Sequence, residues 1–171
     1  MTNFDKMVAE IKAEFPSFKL VEKDTSLLMK AMFYCGLMFW WCPKYMESYT
    51  TTVYHSVYMP KWLIGTETGV DVLRHERVHL RTFRGWRVVP MTLFYSFLPI
   101  GPSGRAYIEW LAYKESMRAH YERHGELPDT YLQWLSNIFT GSNYLFMWPF
   151  PKHMMKLLKA EREVIINGLH S

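Results

Sequence analysis

The 171-residue sequence predicts an α+β domain, mainly helical, with a small antiparallel or mixed sheet. Three observations carry this. Apolar residues recur at helical spacing in several separate segments, one segment at 49–59 is rich in Thr, Val and Tyr, and no repeat or linker-like stretch divides the chain. Composition agrees: 49% apolar and 21% charged residues exclude a disordered or low-complexity chain. The aromatic residues (11 Phe, 11 Tyr, 7 Trp) and 12 Met can fill a core and still line a groove.

Residues 3–14 set Phe4, Met7, Val8 and Ile11 on one helical face, and Pro16 ends that helix. Thr25 or Ser26 can cap a second helix through Leu27, Leu28, Met29, Ala31, Met32 and Phe33. Its continuation into Phe39, Trp40 and Trp41 reads equally as helix or buried strand. Residues 49–59 read as one strand stopped by Pro60, with Val53, His55, Val57 and Met59 on one face and Thr52, Tyr54, Ser56 and Tyr58 on the other. Polar residues on both faces suit a sheet edge. Helices are predicted over 66–82, 105–123, 129–139 and 152–166, the last packing through Met154, Met155, Leu157, Leu158, Val164 and Ile165. An aromatic loop at 140–151 separates the final two.

Two cysteines, Cys35 and Cys42, are too few for a disulfide scaffold and miss the short spacing of a zinc knuckle. A net charge of +4 is spread along the chain and diluted by 16 carboxylates, so no nucleic-acid partner is expected. Charges at Asp5, Lys6, Glu10, Lys12 and Glu14 are incompatible with a signal peptide. The longest uncharged stretch, 130–151, is too polar for a transmembrane helix. The expectation is a cytoplasmic protein whose aromatic segment at 144–150 is a lid over the core, with peripheral membrane contact left open.

The helix at 66–82 contains His75-Glu76-Arg77-Val78-His79, an HExxH. Residues four apart on a helix stand one above the other, so both imidazoles can reach one Zn²⁺. Glu76 beside them can act as general base. Random order of 7 His and 12 Glu yields about 0.02 such motifs in a chain of this length, so coincidence is a minor explanation.

A third ligand must come from elsewhere. Thr82 and Gly85 occupy the Gly and His positions of the extended HExxHxxGxxH pattern, which excludes that type. Glu109 is the favoured ligand, because a carboxylate between Ile108, Trp110 and Leu111 is costly unless partnered. Glu115 is the alternative, with His120 and His124 further along the same helix. His55 could contact substrate or metal, and Tyr107 or Tyr113 could stabilise an oxyanion. The bland readings are a solvated helix face for the motif, an ion pair with Arg105 for Glu109, and structural roles for His55 and the two tyrosines.

These residues resemble a family. His75 to His79, with Glu109-x-x-Ala112-Tyr113 downstream, is similar to zincins of the Glu-ligand (gluzincin) type, and to small single-domain metallopeptidase-like proteins of phages and bacteria. Further matching pieces are Thr50-Thr51-Thr52, Tyr58-Met59-Pro60, Leu98-Pro99, Arg105 and Met147-Trp148-Pro149-Phe150, within residues 48–151. The resemblance implies a zincin-like fold and a single catalytic zinc on His75, His79 and Glu109. It also implies a peptide or protein substrate, and a virion-associated location if the chain is phage-encoded. Tyr113 stands where thermolysin-like enzymes carry the Asp that orients a ligand histidine, and Asp71, one turn before His75, could replace it.

The reading is therefore a zinc-dependent peptidase or amidase that takes an extended peptide along the strand at 49–59. The alternative is a non-catalytic, metal-stabilised binding or phage structural protein, whose metal would be closed by a fourth ligand such as His55 or His120. Substrate, oligomeric state and the choice among Zn, Mn, Fe, Co and Ni are left open by the sequence.

Overall fold

A computed structural model describes residues 1–35, 44–83, 104–141 and 146–169. The expectations for Phe39 to Trp41, Cys42, Leu98-Pro99 and Tyr144 lie outside the described residues. The chain divides into two compact units, Met1–Arg81 and Thr82–Ser171. The fold is α+β, mainly helical, with one small mixed sheet among the described residues.

The first unit opens with helix α1, Asn3–Glu14. Thr2 and Asp5 cap it reciprocally: Asp5 N–H donates to Thr2 Oγ1 at 3.1 Å, and Thr2 N–H donates to Asp5 Oδ2 at 2.9 Å. The Thr2 N–H bond, followed by one from the Thr2 hydroxyl to the same Oδ2 at 2.9 Å, holds the Asp5 carboxyl below its ordinary pKa. Strand β1 is Lys19–Glu22, and helix α2 is Leu27–Cys35, where Ser26 Oγ accepts from Met29 N–H. A short helix α3, Tyr45–Ser48, precedes strands β2, Thr51–Val53, and β3, Ser56–Met59.

The expected single strand at 49–59 is thus a hairpin. Tyr54 and His55 form its two-residue turn, and Tyr54 carries the positive φ, 55°, that tight hairpin turns demand. The turn re-sorts the faces: Thr52 is paired with Val57 and shares its face. Among the described residues strand β3 is central, parallel to β1 and antiparallel to β2, so β1 and β2 are the two edges.

Helix α4, Glu67–Thr82, carries the HExxH. Thr66 Oγ1 accepts from Gly69 N–H at 3.0 Å and caps its start. Gly69 is required there, because a Cβ would collide with the Leu63 carbonyl and crowd the Phe4 ring. Leu73 and Leu80 are buried with Phe4, Ile11, Val57 and Met59 in one core. At about 1.5–3 kcal/mol for each large side chain buried, this core fixes the rotation of α4.

In the second unit, helix α5 is Gly104–His124, α6 is Asp129–Thr140 and α7 is Pro151–Leu169. Gly125, at φ 74°, ends α5 by bonding its N–H to the Tyr121 carbonyl. Met117, Leu132, Leu135, Phe139, Met154 and Leu158 form the core. Val164, expected to pack, is exposed instead. Lys114 of α5 meets the buried Glu161 of α7 at 2.9 Å, and Arg162 of α7 meets Asp129 of α6 at 2.7 Å. Between α6 and α7, Met147 is buried and the Trp148 N–H bonds the Phe139 carbonyl, while Phe146 and Phe150 are exposed. Among the described residues, no helix is long and apolar enough to cross a membrane.

Candidate metal centre

His75 and His79 lie four residues apart on α4, with rings inclined at 69° and Nε2 atoms 3.2 Å apart. His79 is buried and His75 half-buried. Two neutral imidazoles at this distance either share one N–H···N hydrogen bond or turn both lone pairs toward a common cation.

Glu76 follows His75 and is only 6% exposed. Its Oε2 accepts a hydrogen bond from Thr52 Oγ1 at 2.6 Å, the short length of a charge-assisted O–H···O⁻ contact. A carboxylate removed from water needs such a donor. Thr52 can reach it because the hairpin turns this residue onto the Val57 face. A single strand over 49–59 would put Thr52 on the opposite face from Val57, which hides this contact from the sequence. The neighbouring residue points the other way: Thr51 Oγ1 accepts from Lys23 Nζ at 3.1 Å and lies 3.0 Å from the Tyr45 hydroxyl.

The opposite side of α4 holds the helix in place. Arg77 is two residues past His75, or about 200° around the helix. Its Nε donates to Glu14 Oε2 at 2.7 Å, and Arg81 Nε donates to Glu14 Oε1 at 2.6 Å. Arg77 also meets Glu10 at 3.3 Å. These bonds join α1 to α4; the sequence suggests exposed ion pairs for Arg77 on a solvated face, and the pairs it makes are partly buried.

The Arg81 and Arg77 guanidiniums hold the Glu14 carboxyl down at about 2. Depression of a carboxyl means stability that is present above its unfolded value, near 4.3, and lost as the pH falls toward 2. With both ends of the cluster reached by solvent, its worth is ~1 kcal/mol. Thermal melts between pH 5 and pH 2.5 should show this loss in the wild type and a flatter profile in Glu14→Gln.

Glu109 is buried on α5, at 6% exposure. Among the described residues, His75, His79 and Glu109 make up a group that could hold a metal ion, with one ligand atom from each and all three atoms within 4.8 Å of one another. His55 and His120 are not in that group. His55 occupies the hairpin turn against the Tyr54 ring, and His120 is stacked on Tyr131 at 4.0 Å. Burial chiefly, then the charges of His124 and Arg123, lower the pKa of His120.

The remaining candidates take varied positions. Asp71 is half-buried one turn before His75. Tyr113 is buried in the second core with its ring edge-on to Phe139 at 5.3 Å. Tyr107 is 60% exposed and lies two residues from Glu109, so helix geometry puts it on the far side of α5. No family model matches the chain, and no curated protein or solved structure matches it either.

Proposed function

We propose that the protein is a metal-dependent hydrolase of peptide or amide bonds, in which His75, His79 and Glu109 hold the cation and Glu76 is the general base. The observation that carries this reading is the separation of the two imidazoles. Two nitrogens each ~2.05 Å from one tetrahedral zinc stand ~3.3 Å apart by trigonometry, and the His75 and His79 Nε2 atoms are 3.2 Å apart. The Glu109 carboxylate supplies a third ligand atom within 4.8 Å. Two imidazoles and one carboxylate form a donor set that suits zinc and that catalytic zinc sites use, with one position kept for water.

When bound, zinc supplies Lewis acidity toward a carbonyl oxygen and makes a water molecule acidic near neutral pH. The rest belongs to the chain. Glu76 takes the proton of the attacking water onto its carboxylate and then hands it to the leaving nitrogen. Burial keeps that carboxylate from being dispersed into solvent, and the Thr52 hydroxyl compensates for the lost hydration. Strand β2, at the sheet edge, can pair with an extended peptide and lay it beside the Thr52–Glu76 contact.

Elemental analysis of protein purified without added metal tests this reading. About one zinc per chain is expected in the wild type, with loss or marked weakening in Glu109→Ala. Wild-type protein that takes up no metal even on zinc titration overturns it.

A further inference from the structure

We propose that Thr52 is a positioning residue for Glu76: its hydroxyl holds Oε2 so that the other carboxylate oxygen is the one that receives and returns the proton. The inference rests on the hydrolase reading above and adds to it a residue from outside the HExxH helix.

The geometry favours this role. An ionised carboxylate only accepts hydrogen bonds, so the 2.6 Å contact fixes Thr52 as the donor and leaves Oε2 engaged. The two residues are 24 positions apart, so the contact exists only when hairpin and helix have both formed. Thr52 is itself stiff. Its backbone is set by pairing with Val57, which is fully buried, and a β-branched side chain has few χ1 choices on a strand. Glu76, in contrast, has a flexible stem with several rotamers to choose among. A rigid donor on a strand thus confines a flexible base on a helix. A general base displaced by ~1 Å can lose ~10²-fold in rate, so confinement of this kind acts on kcat. Because the Thr52 hydrogen bond goes to Glu76 and Thr52 is not one of the three metal-group residues, metal uptake should not depend on it.

The test uses the full-length zinc-loaded chain and a pool of internally quenched peptides. Thr52→Val should lower kcat ~10–100-fold, with KM and zinc affinity within about twofold of wild type. Thr52→Ser, which restores the donor, should recover most of the rate. A second readout needs no activity: urea midpoints of Thr52→Val, of Glu76→Met, which removes the acceptor, and of the double variant. Coupling is expected, with the double variant less destabilised than the two single losses together. An active wild type with unchanged kcat in Thr52→Val, or additive midpoints, overturns the positioning role alone. A Thr52→Ser variant as impaired as Thr52→Val also overturns it, because a hydroxyl would then be insufficient. A wild type that binds zinc but cleaves nothing in the pool counts against the hydrolase reading, and the positioning role falls with it.

Discussion

Glu76→Gln is expected to lower peptide hydrolysis by ~10²–10⁴-fold, the range that a positioned general base supplies. Zinc content and KM should stay near wild type. The amide is nearly isosteric, and its oxygen can still accept the Thr52 hydrogen bond that Oε2 accepts in the native protein. It cannot take a proton from water at neutral pH, so the variant removes the basic group and leaves its packing. Kinetics of the zinc-loaded variant beside metal analysis of the same sample make the separation. Wild-type turnover in Glu76→Gln would exclude Glu76 as the base, whatever the metal content.

Lys23→Met should destabilise the first unit by ~3 kcal/mol. Lys23 is fully buried just after β1. Its ammonium donates to the Tyr45 carbonyl at 2.8 Å, the Tyr49 carbonyl at 2.7 Å and Thr51 Oγ1 at 3.1 Å, and lies 3.4 Å from the centre of the Tyr45 ring. Burying a charge is expensive, and replacing a whole buried ion pair by apolar residues can even stabilise a protein. Here two of the partners are main-chain carbonyls, which no substitution removes. Methionine fills the volume and withdraws the ammonium from all three acceptors at once. Urea unfolding should show a lowered midpoint with an unchanged m-value, and a shift equivalent to less than about 0.5 kcal/mol would contradict this account.

The helices of both units were legible because they rest on local periodicity. Leu73 and Leu80 fall on the buried face of α4, and Leu132, Leu135 and Phe139 on that of α6. The HExxH was legible for the same reason: its i, i+4 spacing is a property of one helix. Glu109 was legible as a carboxylate in apolar surroundings, and it is indeed buried. The hairpin was not, because Tyr54-His55 lacks the Gly, Asn or Asp that normally mark a turn with positive φ. Strand β1 was not, since Lys19–Glu22 is four residues with charges at both ends and gains its identity only from pairing with β3. The supports of the candidate site were hidden by distance along the chain: Thr52 is 24 residues from Glu76 and Glu14 is 63 from Arg77.

Strand β2 lies between two buried charges, an ammonium met by Thr51 and a carboxylate met by Thr52. A one-residue slip in a strand normally exchanges its two faces and ruins both. In the run Thr50-Thr51-Thr52 such a slip toward the N-terminus exchanges threonine for threonine. Thr50 even holds a buried hydroxyl with no hydrogen-bond partner among the described residues. The chemistry of β2 therefore does not specify its own register; that falls to Val57 and Met59 of β3 and to the two-residue turn. A turn shortened by one residue would still leave a hydroxyl beside each charge, which makes the hairpin tip a place where this fold can absorb a deletion.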